Sequence, residues 1–368
     1  MGPARLFTVV AAATAGLGVG GWAAACGAFS LNDVVPAAPA DARDVVSDTS
    51  SPCDASDPCS CLKTPTVISP GKGAAQALTV DSTYAYWLAS TGGNPTAYRA
   101  PLVPDSGAVV ALQTGLSLGT SSDFALLDPY LYVDIGNYMA YLARLPLDGG
   151  PTQRMTINFP TGGHGLPYDL RAAPSGLYWT NSDSPLCFAG LDGSIASGDA
   201  SCGGTPLSPA VTPEAGSYGN HVTVGSSDLY WSVALNGEVL RMAIDGGQVD
   251  VIVAPGGRQE RLVATIDSQV FWTAYAGDAG LSIIRAAADG SDAGPVLTGA
   301  LVTFTVDETS VYAIVNAPTT RQIVTVSQGG GPVTVLACDT ESPAYLAVDA
   351  VNVYWANQGD GFVKSVPK

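Results

Sequence analysis

Apolar and polar positions alternate in short runs over most of this chain. After residue 60 no segment sustains the 3.6-residue apolar period of an amphipathic helix. Short runs of β-branched, aromatic and small apolar residues end instead at Asp, Asn and Gly. Near the C-terminus, Leu346-Ala347-Val348 reads as a strand and Asp349 opens a turn. Val353-Tyr354-Trp355 is a second strand, Gly359-Asp360-Gly361 turns again, and Phe362 to Val366 is a third. An equivalent stretch is punctuated by Asn236-Gly237 and Asp245-Gly246-Gly247 and continues into a fourth strand, Val249 to Val253. Asn-Gly and Asp-Gly suit tight hairpins because Gly accepts φ > 0.

The unit recurs. An aromatic pair, or one aromatic with a smaller neighbour, follows each short apolar strand and its turn. The instances are Tyr86-Trp87, Tyr132-Val133, Tyr178-Trp179, Tyr230-Trp231, Phe271-Trp272, Tyr312-Ala313 and Tyr354-Trp355. Their spacings are 46, 46, 52, 41, 41 and 42 residues. Four strands per unit at this spacing predict an all-β fold, a β-propeller of seven four-stranded blades over residues 61–368. The chain ends after the third strand of the seventh unit, and a spare strand, Thr66-Val67-Ile68, precedes the first. The N-terminal strand is therefore expected to complete the last blade and close the ring, which removes open sheet edges. Leu177-Tyr178-Trp179-Thr180-Asn181 and Val353-Tyr354-Trp355-Ala356-Asn357 resemble the Tyr-Trp-Thr-Asp class of propeller repeats and its bacterial relatives. The family's acidic fourth position is Asn or missing here, and seven units replace the six of the receptor-type members. The resemblance implies the fold and says little about function.

The N-terminal quarter differs. Residues 1–25 carry a single charge, Arg5, before an apolar run that ends in Ala23-Ala24-Ala25-Cys26. This is the layout of an export signal. A Cys directly after three small residues resembles the bacterial lipobox, in which the Cys becomes the lipid-bearing first residue. An ordinary cleaved signal and an uncleaved anchor are the alternatives. Residues 26–60 then read as lipidated Cys26 and a solvated tether, whose positions 27–60 hold six Asp against one Arg. A flexible coil of that length spans roughly 30 Å. Gly27 lacks the Asp that marks inner-membrane retention in lipoproteins generally. By that resemblance the expected address is the outer membrane or cell surface, with the periplasm as alternative.

Charge narrows the partners. The net charge is −17 with only four lysines, which argues against nucleic acid and against a basic membrane patch. Membrane contact is expected through the lipid anchor only. The six cysteines after Cys26 suggest disulfides in an exported chain. Cys187 and Cys202 flank a Gly/Ser/Asp insertion and are read as its staple. Cys53, Cys59, Cys61 and Cys338 allow three pairings. No metal site is expected: Cys59-Ser60-Cys61 is too tight for a zinc knuckle and His is scarce.

Candidate chemistry is sparse. The five tryptophans of the repeats are best read as packing between blades, and the turn aspartates Asp81, Asp128, Asp267, Asp307 and Asp349 as partners of turn amides. Gly115-Leu116-Ser117-Leu118-Gly119 spells a nucleophile elbow without the helix that motif needs. The two histidines, His164 and His221, fall in successive connections between blades and so on one face. Asp169, Asn220, Arg258, Glu260 and Tyr345 are expected near them as a ligand-binding face. No catalytic residue and no cofactor is assigned; a divalent metal has no support beyond the residue types. The reading is a non-catalytic binding or scaffold module at the cell envelope, with an envelope protein or glycan as partner. The alternative is a propeller enzyme, a lyase or hydrolase with its site on the His164/His221 face, as in propellers of the streptogramin-lyase type. A mainly structural envelope protein is a third reading.

Overall fold

The computed structural model describes residue 62 and residues 64–368, apart from 105–106, 117–123, 136–140, 159–168, 181–185, 195–204, 207–218, 234–236, 254–262 and 267. The described chain forms seven sheets of four antiparallel strands each. In six of them the four strands follow one another in sequence. Their inner strands are Ala74–Val80, Phe124–Leu127, Asp169–Ala173, Gly219–Val224, Val263–Ile266 and Leu301–Val306. The seventh sheet takes Pro343–Val348, Asn352–Asn357 and Val363–Pro367, and its outer strand comes from the other end of the described chain. Thr66–Ser69 pairs antiparallel with Val363–Pro367, with Thr66 opposite Ser365 and Val67 opposite Lys364.

The core lies between the sheets. Seven apolar clusters form, one for each pair of neighbouring sheets, including the pair of the last and first. The chain is a seven-bladed β-propeller. Successive residues of a strand point to opposite faces, and this explains the aromatic pair. Tyr178 packs toward blade 4 while Trp179 packs toward blade 2. The same split holds for Tyr230 with Trp231, Phe271 with Trp272, and Tyr354 with Trp355. Each pair thus fills two interfaces from one strand. Trp87, Trp179, Trp231 and Trp355 are fully buried, and Trp272 nearly so. The tryptophans are packing residues, as the repeat position predicts.

The ring has two faces. The turns between the first and second strands of each blade, and between the third and fourth, form what we call the turn face. The connections between blades, and the turns between second and third strands, form the loop face. On the turn face, Asp81 Oδ1 accepts the backbone N–H groups of Thr83 and Tyr84, and Oδ2 accepts the hydroxyl of Tyr86 at 2.8 Å. Asp307 repeats this with Thr309, Ser310 and Tyr312, and Asp349 with Val351, Asn352 and Tyr354. Burial first, and then the Asp partner, push the Tyr86 and Tyr354 hydroxyls above their ordinary range, so they stay protonated donors. Asp267 lies outside the described residues. At the closing seam, glycine is required: a Cβ on Gly361 (φ 71°) would stand 2.0 Å from the carbonyl oxygen of Gly73.

Candidate functional site

The register of the inner strands sets the site. In each blade the inner-strand residue opposite the Trp position faces the preceding blade: Leu170 opposite Trp179, Val222 opposite Trp231, Leu346 opposite Trp355. The residue before it points the other way, close to the loop face. That position is Ala77 in blade 1, Asp169 in blade 3, His221 in blade 4, Thr303 in blade 6 and Tyr345 in blade 7. Three sequence candidates therefore occupy one structural position in three blades.

Two of them meet. Asp169, only 2% exposed, accepts at Oδ2 from His221 Nδ1 at 3.2 Å and from the backbone N–H of Val222 at 3.0 Å. Its other oxygen forms an ion pair with Arg171, two residues along the same strand. Arg171 also donates to the carbonyl of Leu170 at 2.7 Å. A carboxylate buried with one cation, one amide and one imidazole is held in place rather than left exposed to solvent. Because an ionised carboxylate only accepts, Nδ1 is the donor of the imidazole in this pair. The His221 side chain keeps 14% of its surface exposed. Chemically, the cluster can orient one imidazole and offer it as a hydrogen-bond partner.

The other candidates fall elsewhere. Tyr345 is 4% exposed and packs in the interface of blades 7 and 1 with Ala75 and Ala344. Its hydroxyl accepts from Gln358 at 3.4 Å. Asn220 lies on the inner strand of blade 4 beside His221, with its side chain outside the described residues. His164, Arg258 and Glu260 lie outside the described residues, as do Cys26, Cys53, Cys59, Cys61 and Cys202. No group of three or more His, Cys, Asp or Glu side chains that could hold a metal occurs among the described residues. Likewise, no helix there is long and apolar enough to cross a membrane.

Sequence reasoning missed Arg171. The signal was present: Asp169 and Arg171 stand two apart in a strand, which puts them on one face. It also left open what Asp339 does. This residue ends the outer strand of blade 6 and is 6% exposed. Its Oδ2 accepts from Trp355 Nε1 at 2.8 Å, Asn357 Nδ2 at 3.0 Å and Lys364 Nζ at 2.9 Å, and Oδ1 accepts the Glu341 N–H at 3.0 Å. Burial pushes its carboxyl up. Lys364, Trp355, the Glu341 amide and Asn357 together outweigh burial and hold it below the ordinary carboxylate range. Asp339 is thus a clasp between blades 6 and 7. A further feature lies on the turn face. A cavity of about 1280 Å³ opens there, lined by Tyr84, Arg99, Asp128, Tyr130, Thr223 and, from inside, Arg171.

The comparisons agree on architecture. The chain is similar to a catalytically inactive virginiamycin B lyase from Staphylococcus aureus solved with quinupristin, at TM-score 0.60 and 12% identity over 83% of this chain and 99% of that one. It is similar to YCF48 from Cyanidioschyzon merolae, at TM-score 0.56 and 12% identity over 82% and 98%. The WD40 repeats of RRP9 give TM-score 0.56 and 11% identity over 83% and 99%. At these identities the likeness shows the fold alone. No protein-family model matches the chain, and no curated protein matches it.

Proposed function

We propose that this chain is an exported, lipid-anchored β-propeller that works as a non-catalytic binding or scaffold module at the cell envelope. In this reading residues 1–25 are an export signal, Cys26 carries the lipid, residues 26–60 are the tether, and residues 61–368 are the working domain. The partner is an envelope protein or glycan, and the address is the outer membrane or cell surface. The layout of Arg5, the apolar run and Ala23-Ala24-Ala25-Cys26 supports export. Disulfides fit the same compartment. In this reading Cys187 pairs with Cys202 across the Gly/Ser/Asp insertion, and Cys338 is one of the four cysteines, with Cys53, Cys59 and Cys61, that form the remaining bridges.

One observation carries the binding role. The polar groups gathered near the loop face meet at one carboxylate: Arg171, the Val222 amide and His221 all converge on Asp169. Such a cluster gives a rigid, shaped surface and fixes one imidazole in orientation, which recognition needs. The carboxylate behind His221 also suits a general base, and this favours the enzyme alternative as the second reading. The test is capture by crosslinking in intact envelopes. It compares the wild type with His164→Ala/His221→Ala/Tyr345→Phe. Loss of one captured partner by a variant that melts like the wild type supports the binding module. Capture unchanged by the substitutions rejects it. A hydrolytic or lyase activity abolished by His221→Ala would favour the enzyme.

A further inference from the structure

We infer that the turn-face cavity is a binding site for a neutral oligosaccharide. The inference goes beyond the reading above, because it adds a second site on the other face of the ring from Asp169 and His221. It starts from a pair of tyrosines that the repeat does not require. Tyr84 and Tyr130 stand two residues before Tyr86 and Tyr132, on the second strands of blades 1 and 2. In blades 3 to 7 that position holds Gly176, Asp228, Gln269, Ser310 and Asn352. Both tyrosines are half-buried, and both line the cavity. Each is pinned. The Arg99 guanidinium lies 4.9 Å from the Tyr84 ring centre, and Arg99 also donates to the Leu147 carbonyl of blade 2. The Arg144 guanidinium lies 4.7 Å from the Tyr130 ring centre, and its Nε donates to Gln153 Oε1 at 2.7 Å. Flat surfaces fixed in this way bind with little further loss of side-chain entropy.

The rest of the wall selects the ligand. At about 1280 Å³ the cavity exceeds the roughly 300–1,000 Å³ of an ordinary small-molecule pocket, so it takes a chain of several rings. Asp128 and Asp148 are exposed at its rim, and a carboxylate accepts hydroxyls at both oxygens. Pro129 and Pro174 add apolar ring surface beside the tyrosines. A sugar needs this mixture. Its hydroxyl edge takes the carboxylates, and its C–H face covers a tyrosine or proline ring. Charge argues against the other classes. An anion meets Asp81, Asp128 and Asp148, while the two guanidiniums of the wall are already engaged, Arg171 by Asp169 and Arg99 by Leu147 and Tyr84. A cation drawn to the tyrosine rings meets Arg99 and Arg144 already over them. An apolar ligand would strip water from the carboxylates and return no hydrogen bond. A neutral polyhydroxyl chain is the class that satisfies both the rings and the acids.

Calorimetric titration of the purified full chain tests it. The probes are cellohexaose, laminarihexaose, maltohexaose and chitohexaose, with tetragalacturonate and hexalysine as the charged competitors. At least one neutral hexasaccharide is expected to bind with a Kd below about 1 mM. Tyr130→Ala should weaken it about tenfold. Tyr130→Phe, which keeps the ring, should weaken it by less than about threefold. Ser226 is exposed on the cavity wall, so Ser226→Trp fills the cavity without disturbing the core and should abolish binding. Val251→Trp, at a position 55% exposed on the outer strand of blade 4, should leave it unchanged. Three results would each overturn the inference: no binding of any neutral hexasaccharide, tighter binding of tetragalacturonate or hexalysine, or binding that survives Ser226→Trp. None of them bears on the capture experiment above, which reads the loop face.

Discussion

Two arcs of the ring are joined differently. One residue separates the outer strand of blade 5, which ends at Gly299, from Leu301 in blade 6; three separate Asp339 from Pro343, and four separate Ser69 from Ala74. The connections leading into blades 2, 3, 4 and 5 hold ten, ten, twelve and nine residues. The short arc also holds the three Asp–Tyr braced turns, in blades 6, 7 and 1, and the Asp339 clasp. In the long arc, Ser175 takes over as partner of Tyr178, and Gly225 stands five residues before Tyr230 where the braced blades have Asp. The interfaces between blades are nevertheless alike: buried aromatics fill both arcs. Closure and the braced turns are thus concentrated on one side. Loop length, where recognition varies most freely, is concentrated on the other, beside Asp169 and His221.

The largest effect should come from breaking the short arc at its seam. Deleting residues 62–69 removes the pairing of Thr66 and Val67 and the burial of Ile68. The loss is about 5 kcal/mol, and melting should fall by roughly 10 °C. A truncated chain that melts like the wild type would contradict closure. Next, Trp231→Ala in the long arc and Trp87→Ala in the short one should each cost about 4 kcal/mol. Urea denaturation checks whether the two costs match, as equal packing requires.

Asp339→Ala should cost about 3 kcal/mol, since it leaves Lys364, Trp355 and Asn357 without their shared acceptor. The folded carboxyl lies below its unfolded value. Its contribution is therefore complete above the ordinary carboxylate pKa, about 4, and is lost as pH falls through the folded value. Urea melts from pH 7 to 2.5 should show the wild type losing stability below about pH 4. Asp339→Asn should lose less over the same interval. Smaller still, Tyr354→Phe removes one hydroxyl bond to Asp349 and should cost about 1 kcal/mol. The smallest stability change belongs to His221→Ala, under about 1 kcal/mol, because Arg171 and the Val222 amide still hold Asp169.

The braced turns and the tryptophans were legible because one cause repeats seven times. A strand must fill two interfaces, so large residues recur side by side, and Asp349 or Asp307 recurs where a turn needs an acceptor. The closing strand was legible for a topological reason: Thr66-Val67-Ile68 had no blade of its own. The site was less legible. Asp169 and His221 were recognisable as neighbours on one face, but Arg171 lay hidden inside a strand whose apolar neighbours drew the reading. Tyr345 shares their register position, yet its ring serves the packing of blades 7 and 1. Which of two equivalent positions joins a polar cluster and which joins the apolar core depends on the neighbouring blade, and a repeat pattern does not encode that.

The proposed binding role, and its separation from the closing arc, is tested most directly by mapping contacts around the loop face. Benzoylphenylalanine would be placed at Thr161 or Thr212, which lie in sequence between blades 2 and 3 and between blades 3 and 4, and at Lys72 or Thr340, in the short connections, and irradiated in intact envelopes. The account predicts one protein adduct shared by Thr161 and Thr212 and absent from Lys72 and Thr340. Adducts from the short-arc positions alone, or equally from all four, would contradict it.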